Sequence, residues 1–298
     1  MTRHIVVIGK TGQLARALSA QAGQLGYEVT SYGRDACDLS ASEDEIRAFA
    51  KTLPQCEAII MAAAYTAVDA AEDDIDAAFQ VNGVAPGVFA ELCHVRSIPI
   101  IHVSTDYVFA GNAKAPIKPD EPTDPINVYG RSKLAGEQAV LNSGARAAIL
   151  RTSWVFDGTG KNFLTTMLRL AQTRDQLSVV ADQIGRPTYA GHLAGACFVA
   201  LNMLAENAHL QGGIYHVSGT GLETTWADFA KAIFSATKDT RAHIVNVTPI
   251  PSSDYPTPAK RPAYSVLDTR DFEQSFNIAL PSWHDGLSAA LQAWHASK

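Results

Sequence analysis

Residues 5–25 constrain the fold of this chain more than any other stretch. Ile5-Val-Val-Ile8 is a short, uniformly apolar run, the pattern of a strand buried on both faces of a parallel sheet. Gly9-Lys-Thr-Gly12-Gln-Leu-Ala15 follows at once, and then a helical pattern that runs to about Leu25. A glycine turn opening a helix presents backbone N–H groups and the positive helix end, a setting suited to a dinucleotide pyrophosphate. Ala15, the third small position, still lets helix and strand pack closely. A plain βα turn looks the same, so the remainder of the chain has to decide.

The same alternation continues. Residues 27–32 read as a strand, 42–53 as a helix, 58–61 as a strand, 79–95 as a helix, 98–104 as a strand and 147–150 as a further buried strand. Strand and helix in turn over about 150 residues predict an α/β fold, a Rossmann-like doubly wound parallel sheet. After that the regularity loosens, with helices at 163–174, 192–206 and 225–236, strands at 178–180 and 213–217, and an extended segment, Tyr255-Pro-Thr-Pro-Ala-Lys-Arg-Pro262. We expect a dinucleotide-binding domain over 1–153, with later strands near 178–217 returning to it. Residues 154–298 are expected to form mainly a smaller C-terminal substrate-binding lobe.

Composition excludes several classes. A hydrophobic content of 47% with 18% charged residues is that of a globular chain with a sizeable core. The net charge of −6, without a basic face, argues against a nucleic-acid partner. Four scattered cysteines (Cys37, Cys56, Cys93, Cys197) show no metal-ligand or disulfide spacing. There is no stretch of membrane-spanning length and no leader pattern, so a cytoplasmic location is expected.

The chemistry concentrates in Tyr129-Gly-Arg-Ser-Lys133, read with Ser104-Thr-Asp-Tyr107. Tyr129 and Lys133 are four apart, so a helix beginning near Tyr129 places both on one face. A free phenol has a pKa of about 10; an ammonium beside it is expected to lower that value and let Tyr129 exchange a proton with a substrate oxygen. Thr105, at the end of an apolar run, would hydrogen-bond the same oxygen. The trio suits carbonyl reduction or alcohol oxidation with a nicotinamide cofactor. Surface decoration is the plain alternative, although of nine tyrosines only Tyr129 has a lysine at i+4. The second strand ends at Gly33-Arg34-Asp35. Arg34 suits the extra phosphate of NADP, whereas Asp35 or Asp38 would suit the ribose hydroxyls of NAD.

In these residues the chain resembles the dTDP-4-dehydrorhamnose reductase family of extended short-chain dehydrogenases/reductases. The matching segments run nearly end to end: GKTGQL (9–14), AAAYTAVDAA (62–71), STDYVFAG (104–111), YGRSKLAGE (129–137), RTSWVF (151–156), DQIGRPT (182–188) and YPTPAKRP (255–262). The glycine turn and Tyr-x-x-x-Lys belong to the whole superfamily; STDYVF, RTSWVF and YPTPA-x-RP are narrower.

The resemblance implies reduction of the C4 ketone of dTDP-6-deoxy-L-lyxo-4-hexulose to dTDP-L-rhamnose, in rhamnose and cell-surface polysaccharide biosynthesis, with NADPH as cofactor and NADH possible. It implies that Tyr129 donates the proton, that Lys133 tunes it and holds the nicotinamide ribose, and that Thr105 orients the carbonyl. It places Gly9, Gly12, Gln13 and Leu14 on the pyrophosphate, Asp38 and Leu39 near the adenine, and Ala62, Ala63, Ala64 and Tyr65 along the cofactor. Tyr107 and Trp154 would line the sugar-nucleotide pocket and Arg261 would meet its diphosphate. From its residues alone Trp154 reads as a core aromatic.

Some relatives bind a metal through glutamates at a dimer interface, but the matching positions here are Ala17, Tyr189-Ala-Gly-His192 and a C-terminal helix without glutamate. No metal and a monomer or weak homodimer are therefore expected. Two rivals stand beside the reductase. One is an epimerase or dehydratase acting on a sugar nucleotide and retaining its cofactor. The other is a non-catalytic regulatory subunit with this fold, against which the intact Thr105, Tyr129 and Lys133 argue.

Overall fold

The structure is a computed structural model that describes residues 2–207, 212–238 and 244–297. The first strand, β1 (Arg3–Ile8), leads into helix α1 (Gln13–Ala22) and a single 3-10 turn, and β2 (Tyr27–Tyr32) follows. Helix α2 (Glu43–Thr52) starts on a capping box between Ser42 and Glu45, with three acidic residues in its first turn to oppose the helix dipole. Then come β3 (Ala58–Met61), α3 (Ile75–Phe79), a π-helical turn (Gln80–Val84), α4 (Ala85–Arg96), β4 (Ile100–Thr105), α5 (Val128–Asn142) and β5 (Ala147–Thr152). The fourth strand begins two residues later than its apolar pattern suggests. Ser97 sits in the left-handed region (φ 56°) and the Ile98 N–H returns to the Cys93 carbonyl, which closes α4 with a Schellman-type cap.

Beyond β5 the elements are short: β6 (Val155–Phe156), α6 (Phe163–Leu170), β7 (Gln176–Val180), β8 (Ile184–Gly185), β9 (Thr188–Tyr189), α7 (Ala190–Glu206), β10 (Gly212–His216), β11 (Thr224–Thr225), α8 (Trp226–Ala236), β12 (Asn246–Ile250), α9 (Arg270–Phe276) and α10 (Trp283–Ala296). Six strands form one parallel sheet in the order β10-β5-β4-β3-β1-β2. Of the later strands expected near 178–217, Gly212–His216 joins this sheet. The strand at 176–180 pairs instead with β12, in a separate two-stranded sheet. Among the described residues, none of the helices is long and apolar enough to cross a membrane.

The uniform apolarity of the first strand has a direct cause. Ile5 and Val7 pack into a core with α1 and α7, while Val6 and Ile8 face a second core with α2 and α4. Both faces are covered, as a doubly wound sheet requires. A third core is built by α6, α8 and α10. The order of strand addition reverses at β1 and β3, with β2 on one side of β1 and β3 on the other, so their carboxyl ends open the crevice where ligands bind in such sheets.

Candidate active site

A cleft of about 670 Å³ lies over that switch point, reaching from the Gly9 turn to Trp154. Its cofactor end is shaped by close backbone approach. Gly9 has φ 127°, and a Cβ there would stand 3.0 Å from the Ala63 nitrogen, so only glycine fits. Gly12 caps α1 without a side-chain hydrogen bond, leaving the first N–H groups of the helix to the cleft. Gln13 reaches the Val155 carbonyl at 3.4 Å, and its Oε1 is buried without a partner. A narrow cradle with free N–H groups at a helix start fits a dinucleotide pyrophosphate.

Gly9, Gly12, Gln13, Leu14, Arg34, Asp38, Leu39, Ala62, Ala63 and Ala64 all line this cleft, as do Thr105, Tyr107, Tyr129, Lys133 and Trp154. Tyr65 does not. Its hydroxyl bonds Asp74 at 3.1 Å, and its backbone is gripped by Asn82, which sits in the π-helical turn. Arg34 is 80% exposed and meets Asp38 at 3.8 Å, while Asp35 holds Lys10 at 3.0 Å. Exposed pairs of this kind contribute about 0–1 kcal/mol, so Arg34 can leave Asp38 at little cost. A charge-assisted contact from Arg34 to a ribose phosphate would be worth roughly 1.5–3 kcal/mol. Arg34→Ala should therefore lower the NADPH-to-NADH ratio of kcat/KM by about ten- to a hundredfold. An unchanged ratio would hand that choice to Asp35 or Asp38.

The end of the cleft that holds Thr105, Tyr129 and Lys133 is assembled from two elements. Thr105 is the last residue of β4, and its Oγ1 accepts the Tyr107 N–H at 3.2 Å. Helix α5 starts at Asn127, whose Oδ1 caps Gly130 N–H at 2.8 Å and whose Nδ2 holds the Lys260 carbonyl at 2.8 Å. A Cβ on Gly130 would come 2.2 Å from the Tyr107 carbonyl, so this glycine lets the helix carrying Tyr129 approach the end of β4. The Tyr107 and Tyr129 rings meet edge to face at 5.4 Å. Neither Asn127 nor Gly130 carries a reactive group, and sequence reasoning passed over both.

The electrostatics differ from the expectation. Lys133 is 2% exposed and donates to the Val103 carbonyl at 2.7 Å; burial lowers its pKa to about 8, against the pull of Glu137. The Tyr129 phenol is raised, not lowered: burial dominates, the Asp106 and Tyr107 charges add to it, and only the Thr105 hydroxyl opposes. Desolvation of the phenolate thus outweighs any help from the ammonium, which is turned to the backbone. The phenol therefore stays protonated, as a weaker acid than a free phenol.

Two features were invisible in the sequence pattern. Glu137, one turn beyond Lys133, accepts the Ser104 hydroxyl at 2.5 Å and takes the Arg151 guanidinium through both oxygens, at 2.9 and 2.7 Å. This fully buried pair ties α5 to β4 and β5 directly behind the site. Trp154 has φ 50°, stacks on Trp226 at 3.7 Å, and lies so close to Gly185 that a Cβ there would stand 2.6 Å away. It is a clamped wall of the cleft. Arg261 is outside the lining but next to it, bonding the Tyr107 hydroxyl at 3.2 Å and Asp69 at 2.6 Å. Among the described residues there is no group of three or more His, Cys, Asp or Glu placed to hold a metal ion.

Known proteins resemble this chain along nearly its whole length. A family model described as RmlD substrate binding domain matches residues 3–296. The chain is 43% identical to a dTDP-4-dehydrorhamnose reductase of Sinorhizobium fredii, covering 94% of each. It is 39% identical to one of Escherichia coli K12, covering 97% of each. A crystal structure of a dTDP-4-dehydrorhamnose reductase from Bacillus anthracis in complex with NADP superposes with a TM-score of 0.88 at 33% identity, covering 98% of this chain and all of that one.

Proposed function

Because this chain belongs to the dTDP-4-dehydrorhamnose reductase family, we propose that it reduces the C4 ketone of dTDP-6-deoxy-L-lyxo-4-hexulose to give dTDP-L-rhamnose. The observation that carries this reading is the meeting of Thr105, Tyr129 and Lys133 at one end of a cleft whose other end is the Gly9–Leu14 cradle. NADPH, when bound, supplies the hydride. The Gly9, Gly12, Gln13 and Leu14 turn would hold its pyrophosphate, Arg34 its ribose phosphate, and Lys133 the nicotinamide ribose.

Tyr129 gives its phenolic proton to the C4 oxygen, which becomes a strongly basic alkoxide as hydride arrives and can take a proton even from a weak phenolic acid. Thr105 orients the same oxygen. The Lys133 ammonium, held by the Val103 carbonyl, would reach the nicotinamide ribose from the same end of the cleft. Tyr107 and the Trp154 face flank the sugar nucleotide, since aromatic faces suit a thymine ring and the apolar side of a deoxysugar. Arg261 serves the diphosphate by exchanging Asp69 for phosphate oxygens.

Residues 154–298 mainly supply the substrate lobe. We place the reaction in the cytoplasm, a reducing compartment that suits four cysteines without disulfides, and assign a monomer or weak homodimer. The test compares NADPH oxidation with the dTDP-linked ketone and with the free 6-deoxy-4-ketosugar. The nucleotide handles orient the reacting centre, so the free sugar should turn over poorly. Equal efficiency on both would remove the nucleotide from the reading.

A further inference from the structure

Asp106 lies between Thr105 and Tyr107 and has no part in the mechanism above. It is 3% exposed and borders the cleft. Its Oδ1 is 2.9 Å from the Thr105 hydroxyl, and its Oδ2 is buried without a hydrogen-bond partner. A buried carboxylate with one oxygen lacking a partner of normal hydrogen-bond geometry is costly, because its neighbours offset only part of the desolvation of the charge. A carboxylic acid with its proton on Oδ1 has no such problem, since the bare Oδ2 is then a weak neutral acceptor and the proton points at Thr105.

The groups facing Asp106 do not compel ionisation. They are the Tyr107 phenol on its own turn, the Tyr129 phenol from α5 and the Ser265 hydroxyl from the segment packed beside it. Arg261, with Asp69 behind it, is engaged at the Tyr107 hydroxyl. Ser265, Thr105 and the N–H groups of Asp106 and Tyr107 favour the charged form, but burial outweighs them and raises the carboxyl to about 6.

Thr105 has one proton to give. If Asp106 is ionised, that proton goes to Oδ1, and Thr105 has none for a substrate oxygen. If Asp106 is protonated, Thr105 accepts from it and from the Tyr107 N–H, and its own proton turns to the site. We propose that Asp106 is a positioning residue for the reduction, holding a carboxyl proton on Oδ1 so that the Thr105 hydroxyl donates to the substrate carbonyl. The inference rests on the reductase reading above and adds to it a residue that acts only through Thr105.

The experiment follows kcat between about pH 5.5 and 8.5 for the wild type, Asp106→Asn and Asp106→Ala, with NADPH and the dTDP-linked ketone. The wild type should lose about tenfold in kcat per pH unit above a midpoint at or above 6, because one required proton is lost. Asp106→Asn, whose amide donates to Thr105 at every pH, should be a few-fold slower at the acid end and flat, so that it overtakes the wild type at the alkaline end. Asp106→Ala should be slow throughout, by roughly tenfold or more, with an unchanged KM for NADPH and an unfolding midpoint close to that of Asp106→Asn. An Asp106→Asn profile that keeps the wild-type alkaline limb would overturn the proposal. Infrared difference spectra of the substrate-free protein decide the protonation independently of turnover. A carboxylic-acid carbonyl band at acid pH, missing in Asp106→Asn, is expected; no difference between the two overturns the proposal even if another substrate proves to be the true one.

Discussion

Tyr129→Phe should lower kcat by two to four orders of magnitude, the usual range for removal of a general acid, and leave NADPH affinity within about twofold. The ring stays, so the edge-to-face contact with Tyr107 survives. Only the hydroxyl next to Thr105 leaves. Lys133 does not depend on that hydroxyl, because its ammonium is held by the Val103 carbonyl. Calorimetric titration with NADPH alongside steady-state kinetics checks both halves. Parallel collapse of cofactor binding would mean that Tyr129 supports the pocket and is not its acid.

The second large effect concerns stability. Removing one partner of a buried ion pair strands the other charge, at a cost of roughly 3–5 kcal/mol. Glu137→Ala should show the full penalty, because Arg151 is 2% exposed and Ser104 loses its acceptor as well. The Glu137→Met/Arg151→Met double variant should recover most of it, since apolar replacement of a whole buried pair is often neutral or better. The pair nevertheless fixes where β4, β5 and α5 meet, so the recovered variant should still reduce ketone more slowly than the wild type. Urea unfolding gives the stabilities. A loss below about 1 kcal/mol in Glu137→Ala would show that water reaches the pair and that it is no clamp.

The residues differ in how legible they were, and the reason is sequence distance. Gly9, Ala15 and the apolar Ile5–Ile8 run report their own backbone needs locally, as do Tyr129 and Lys133 through a single helical turn. Trp154 was ambiguous alone because its stacking partner, Trp226, is 72 residues away, outside any local pattern. Arg261 reads as a diphosphate ligand, yet it holds Asp69 across 192 residues. The sign of the Tyr129 shift was misjudged for a related reason. Spacing tells which groups are near, whereas desolvation depends on everything packed around the phenol. Asp106 was visible throughout as a letter in Ser104-Thr-Asp-Tyr107; only its bare, buried Oδ2 distinguishes it from a solvated turn residue.

Hydride delivery to C4 of the nucleotide sugar, with Tyr129 on the oxygen, is the centre of this account. The direct measurement supplies NADPH deuterated at the transferred position together with dTDP-6-deoxy-L-lyxo-4-hexulose and locates the label by NMR. One deuterium at C4 of dTDP-L-rhamnose, with one equivalent of NADP released per sugar, is the predicted result. Product without label, or sugar converted with the dinucleotide still bound and unconsumed, would contradict it and identify an epimerase or dehydratase built on the same site.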